Sequence, residues 1–140
     1  MRAVADTNTI VSAVLWGGAP ADVLTAAREQ RINLFTSAPL IAELEDVLAR
    51  AKFAVRIARV GSTVAQIVAG YCALAQLVRS AAIAPVSRDA DDDQVLACAL
   101  AAEAVLIVTR DQDLLTLDPF RGIRILPARE ALTFLAESRR

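Results

Sequence analysis

No histidine occurs anywhere in the chain, and Lys52 is its only lysine. Without imidazole there can be no Ser-His-Asp or Cys-His nucleophile scheme and no zinc site built on histidine. Mechanisms that need a lysine at any other position are excluded as well, and basic charge falls almost wholly to arginine. Aromatic residues are 4% of the chain and the formal net charge is -1, so neither a strongly basic nucleic-acid footprint nor a disordered composition is present. Any contact with nucleic acid must be local. Cysteine is also scarce: Cys72 and Cys98 lie within apolar helical runs and read as small buried hydrophobes, which fits a reducing, cytoplasmic setting. The apolar start is broken at once by Asp6, Thr7 and Asn8, so no signal peptide is expected. The uncharged run over residues 62–78 is at the lower limit of length for a membrane span, and Gln66, Gly70, Tyr71 and Gln76 make it a poor one. It reads as a buried helix or a self-association face.

What the chain does have is acid in one place. Seven of its 16 acidic residues fall between Ser87 and Asp113. Asp89, Asp91, Asp92 and Asp93 precede Val95, Leu96, Ala99 and Leu100 at helical spacing, which puts the Asp92 carboxylate at the N-terminal end of a buried helix face. Capping and the helix dipole account for one or two acids there. Four in five positions would repel one another unless something cationic sits among them, and that excess points to a site. Val105 to Val108 then reads as a buried strand, with Thr109-Arg110-Asp111 leaving its carboxyl end.

Length and a 56% hydrophobic content fit one domain, residues 1–140, with a single core. Ala3-Val4-Ala5 predicts a first strand, ending in Asp6-Thr7-Asn8-Thr9 and a helix from Ile10 to Trp16. Gly17-Gly18 ends that helix, and another runs from Pro20 to about Gln30. Leu34 and Phe35 centre a second strand. The helix after Ser37-Ala38-Pro39 buries Leu40, Ile41, Leu44, Val47 and Leu48, with Glu43 and Glu45 on opposite borders of that stripe and Asp46 toward solvent. Periodicity does not choose between the two glutamates. Arg50, Lys52, Arg56 and Arg59, with Phe53 among them, form a basic segment that reads as a phosphate contact or as an ordinary charged surface. A weak strand is expected over residues 79–86, a loop or short helix over 112–115, a last strand over 121–126, and a closing helix from Pro127 with Ala131, Leu132 and Leu135 inward. Strands alternating with longer helices predict an α/β fold, a mainly parallel sheet with helices on both faces. If the first strand and the Val105 strand are neighbours, Asp6 and Asp111 share one crevice at the sheet's carboxyl edge.

Converging carboxylates without histidine make a hard oxygen site that suits Mg²⁺ or Mn²⁺, the donor set of metal-assisted phosphodiester hydrolysis. The motifs in this order resemble the PIN-domain ribonucleases, particularly the toxin components of toxin-antitoxin systems. The resemblance rests on four stretches: Asp6-Thr7-Asn8 with Gly17-Gly18; Ser37 through Phe53, with its Ala-Glu-Leu core and Val-Leu-x-Arg-x-Lys-Phe ending; Asp89-Ala90-Asp91-Asp92-Asp93 with Leu96; and Val108 through Leu115. It implies a three-layer α/β/α domain with roughly five strands. It also implies a catalytic and metal-binding quartet of Asp6, Glu43, Asp92 and Asp111, choosing Glu43 over Glu45, with Asn8, Thr109 and Asp113 in support. Asp93 is the rival to Asp92. Glu103 and Arg110 stand where that group commonly has glycine, so the turns there are expected to differ.

The implied activity is Mg²⁺- or Mn²⁺-dependent cleavage of single-stranded RNA leaving a 5′-phosphate, restrained by a protein antitoxin, in a cytoplasmic homodimer without membrane contact. A PIN-like module that binds RNA or protein without cutting is the alternative, against which the complete set of acids argues. An acidic receiver-like signalling domain would need a lysine after a late strand, and Lys52 is not there.

Overall fold

Strand β1 (Arg2–Ala5) turns Ala3 and Ala5 to one face of the sheet and Val4 to the other, and all three are buried. Strands β2 (Asn33–Thr36) and β4 (Leu106–Val108) repeat the pattern: Leu34, Leu106 and Val108 share the face of Ala3, while Phe35 and Ile107 share that of Val4. A sheet apolar on both faces must be covered on both, which is why these strands read as continuous hydrophobic runs. The computed structural model describes residues 1–138. With β3 (Gln76–Leu77) and β5 (Arg124–Leu126), it forms a five-stranded, all-parallel sheet of order β3-β2-β1-β4-β5.

On the Ala3 face pack helices α1 (Thr7–Leu15), α2 (Gly18–Arg28), α5 (Val64–Leu74) and α8 (Ala128–Ser138). The Val4 face is covered by α6 (Ala90–Ala101) and α7 (Gln112–Leu115), through Val95, Leu96, Cys98, Ala99 and Leu114. Helix α3 (Ala38–Leu48) serves both cores, with Leu44, Val47 and Leu48 on one side and Leu40 on the other. A 3-10 turn (Ala51–Phe53) and α4 (Ala54–Arg59) link α3 to α5. The result is the three-layer α/β/α architecture expected.

The chain leaves β1 toward β2 and β3 on one side, then crosses back after β3 to β4 on the other side of β1. The connection therefore reverses between β1 and β4, and in open parallel sheets ligand crevices form outside the carboxyl ends of the strands at such a reversal. Ala5 pairs with Val108, so the residues after each, Asp6 and Thr109, emerge side by side. The Asp6 N–H donates to the Val108 carbonyl at 3.1 Å and fixes that juxtaposition.

Several local expectations are corrected. No strand forms over residues 79–86; the third strand is Gln76–Leu77, inside the uncharged run read as helix. Helix α5 stops at Leu74 because Ala75 turns to extended geometry (φ -95, ψ 146), letting Gln76 and Leu77 pair with Phe35 and Thr36. The residues after β3 stay irregular up to Pro85, which has no N–H to give a ladder, and are held by contacts such as the Ala81 N–H to the Ala97 carbonyl at 3.2 Å. The last strand is shorter than residues 121–126, because Arg121 and Gly122 take positive φ in a turn closed by Phe120 and Ile123. Cys98 is buried but Cys72 is exposed, since α5 directs Ile67, Val68 and Tyr71 inward and position 72 lies off that stripe. The apolar face of α5 is thus covered by the chain's own core. Among the described residues no single helix is long and apolar enough to cross a membrane.

The turn at Glu103 keeps the conformation a glycine would take. Its φ is 53, and it follows α6 in a Schellman arrangement: the Ala104 N–H donates to the Ala99 carbonyl at 2.9 Å and the Glu103 N–H to the Leu100 carbonyl at 3.1 Å. Arg110, by contrast, is not among the positive-φ residues. Its turn needs no glycine.

Candidate functional site

Asp6, the first residue beyond β1, is 7% exposed and engaged through both carboxylate oxygens. Oδ1 accepts the Thr9 N–H at 3.0 Å, capping α1, and Oδ2 accepts the Thr109 hydroxyl at 2.5 Å. The capping role and a site role are therefore compatible in one side chain. Thr109 is fully buried and its hydroxyl oxygen also accepts the Asp111 N–H at 3.0 Å, so a single hydroxyl ties the β1 acid to the β4 acid. Asp111 then caps α7 by accepting the Asp113 N–H at 2.8 Å.

From the other side comes the start of α6. Asp89 caps it by accepting the Asp91 N–H at 2.9 Å, and Asp92, one turn in, is 6% exposed and accepts the Ser87 hydroxyl at 3.2 Å. Carboxylate oxygens of Asp89, Asp92 and Asp111 all lie within 4.8 Å of one another. Asp6, Glu43, Asp89, Asp91, Asp92 and Asp111 line one cleft of about 50 Å³, with Asn8 at its wall. Among the described residues no arginine or lysine lines it.

Electrostatics follow from that crowding. Burial pushes the Asp92 carboxyl up to about 7, with the Asp111 charge adding to the effect and the Ser87 hydrogen bond opposing it. Burial likewise raises Asp6 above the ordinary carboxylate range, against the hydrogen bonds from Thr109 and Thr9. Glu43 is raised by burial and then by the charge of Asp91. Three acids whose ionised forms are each disfavoured share one cleft, and a divalent cation would reverse that penalty. The donors are all oxygen, as Mg²⁺ and Mn²⁺ prefer.

The four acids expected from the sequence, Asp6, Glu43, Asp92 and Asp111, thus all face one cleft, and Glu43 rather than the exposed Glu45 is the glutamate of α3 that reaches it. Thr109 lies directly beneath, and Asn8 lies at the wall. Asp93 is directed elsewhere: its Oδ1 accepts the Val86 and Ser87 N–H groups at 3.0 and 2.8 Å and secures the approach to α6. Asp113 pairs with Arg88 at 3.1 Å and does not line the cleft. Asp89 stood in the expected acidic cluster but outside the expected quartet, because helical spacing put only Asp92 at the buried face. Its signal was present in the excess of acids over caps.

A family model of the PIN domain matches residues 2–113 of the 140. The chain belongs to the PIN-domain family. The match runs from β1 to the start of α7 and so includes every acid of the cleft. A search of curated proteins gives no match. Membership in this family points to nuclease chemistry supported by divalent metal, and the acidic cleft of this PIN domain has the donor set which that chemistry requires.

Proposed function

We propose that this PIN domain is an endoribonuclease that hydrolyses phosphodiester bonds in single-stranded RNA with Mg²⁺ or Mn²⁺, and that it acts as the toxin of a toxin-antitoxin pair. The observation that carries the reading is the trio Asp89, Asp92 and Asp111, with oxygens within 4.8 Å at the point where the sheet's connections reverse. Their carboxylates would hold the cation, with Asp6 and Glu43 on the surrounding walls. When bound, a divalent ion there supplies positive charge to phosphate oxygens and lowers the pKa of a coordinated water.

The chain's own groups do the rest. Asp6, fixed through both oxygens, keeps the floor of the cleft rigid, and the Thr109 hydroxyl holds Asp111 in register with it. Glu43 enters from α3 with a raised proton affinity, as a group that accepts the proton of an attacking water requires. Asn8, exposed at the mouth, offers an amide to ribose or phosphate oxygens. The resemblance of the four motifs to the toxin group supports the toxin role, and with it a protein antitoxin, a cytoplasmic setting and a homodimer.

Substrate class is tested with end-labelled single-stranded RNA, duplex RNA and single-stranded DNA of one sequence, each with Mg²⁺, Mn²⁺ or EDTA. Metal-dependent cutting of the single RNA strand, with 5′-phosphate on the downstream product, is expected. Equal cutting of DNA would refute the ribonuclease assignment. Binding of RNA without cutting in either metal would make the non-catalytic module the better account.

A further inference from the structure

Trp16 is the chain's only tryptophan and is 57% exposed, although it ends a helix whose other large apolar residues are mostly buried. Its ring meets Phe53 edge to face, with centroids 5.9 Å apart and planes at 67°. Cations attend both rings. The Arg56 guanidinium lies 5.7 Å from the Trp16 centroid while its Nε donates to the Leu15 carbonyl at 2.5 Å, and Lys52 Nζ lies 5.1 Å from the Phe53 centroid. Between these rings and the end of β4 runs an open groove of about 380 Å³, lined by Asn8, Val11, Ser12, Trp16, Phe53 and Arg110. No acid lines it. Asn8 lines both this groove and the acidic cleft, so the two adjoin.

We propose that this groove is the track for the RNA strand, with one nucleobase stacked on Trp16 and the flanking phosphates held by Lys52 and Arg110. The inference rests on the ribonuclease reading for what happens next to the groove, but binding can be read without cutting. The acidic cleft by itself repels a polyanion, and a chain of net charge -1 has no general attraction to offset that. Charge complementarity must be local, and it is found in the groove adjoining the cleft. Lys52 and Arg110 make no ion pair among the described residues, whereas Arg50 is paired with Asp46. An exposed aromatic platform beside unpaired cations is what single-strand recognition uses, because every base offers a face to stack on and every linkage a phosphate. A duplex keeps its bases stacked on each other and cannot use it.

The test uses the fluorescence of Trp16 in the intact chain, in EDTA so that no hydrolysis proceeds. Titration with a single-stranded oligoribonucleotide is expected to quench it, while an abasic oligomer of equal length and a duplex leave it unchanged. By fluorescence anisotropy of a labelled strand, Trp16→Ala weakens binding roughly 5- to 150-fold, the loss of one stacked base, and Trp16→Phe restores most of it. Lys52→Ala and Arg110→Ala each reduce the salt dependence of log affinity by about 0.7, one phosphate contact apiece. An unquenched Trp16, together with unaltered RNA affinity in Trp16→Ala, overturns the proposal and leaves the groove to a protein partner. If the wild type also cuts RNA in that case, the ribonuclease reading stands without the groove. Quenching in a protein that never cuts supports the groove and removes the ribonuclease reading alone.

Discussion

Replacing Asp92 with asparagine should stabilise the metal-free protein, by an amount that grows as pH rises from about 4 and is full above about 7. In the folded chain the Asp92 carboxyl keeps its proton up to about pH 7, whereas its ordinary value is 3.8. The folded state therefore binds more protons than the unfolded state between those values, and stability falls as pH rises from about 4 to about 7. The ceiling on that loss is about 4 kcal/mol, at 1.36 kcal/mol per pH unit. Water reaching the cleft reduces it to about 1–2 kcal/mol. Asp92→Asn removes the ionisation, and its side-chain carbonyl can still accept the Ser87 hydroxyl. Thermal unfolding in EDTA should then show a midpoint about 3–8 °C above wild type at pH 8 and a much smaller gain at pH 4.5. Millimolar Mg²⁺ should raise the wild-type midpoint and leave the variant nearly unmoved, since metal at 100 times its dissociation constant contributes about 2.7 kcal/mol. A variant destabilised equally at both pH values, and still stabilised by Mg²⁺, would refute the electrostatic reasoning.

Thr109→Val should lower the thermal midpoint in EDTA, because the buried Asp6 and the Asp111 N–H lose a shared partner, at about 1–3 kcal/mol; Thr109→Ser, which keeps the hydroxyl, should recover most of it, and equal damage from both would contradict the bridge. Glu103→Gly should stabilise by about 0.5–1 kcal/mol, since φ 53 is costly for a residue with a Cβ, and a lower midpoint would show that Glu103 makes a compensating contact. Sedimentation of the chain alone should give twice its 14.9 kDa, and a single-chain mass at micromolar concentration would remove the homodimer from the proposal.

Much of this was legible because the sheet is buried on both faces. Ala3-Val4-Ala5, Leu34-Phe35 and Leu106-Ile107-Val108 have no polar interruption, and each is followed by a polar residue at the carboxyl edge. Strand β3 left no such trace. It is two exposed residues at the sheet's edge, defined by pairing with Phe35 and Thr36 rather than by its own composition. Within the acidic cluster, helical spacing placed Asp92 at the buried face, but the roles of its neighbours depend on where the preceding loop folds. Asp93 is turned back by the Val86 and Ser87 N–H groups, and Asp89 is brought within reach of Asp111 by a register that only the assembled sheet sets. Likewise the groove between Trp16 and Phe53 joins residues from α1 and the turn before α4, which no local pattern connects.

The most direct test of the central claim is cleavage of a labelled single-stranded RNA in Mn²⁺ by wild type, Asp92→Asn, Asp111→Asn and Asp93→Asn, each confirmed as folded. Asp92→Asn and Asp111→Asn should lose activity on the order of 100-fold or more, beyond what outer-shell changes cost at metal sites, while Asp93→Asn, whose carboxylate faces the Val86 and Ser87 backbone, should keep most of it. Cutting by Asp92→Asn at the wild-type rate, or loss confined to Asp93→Asn, would contradict the account.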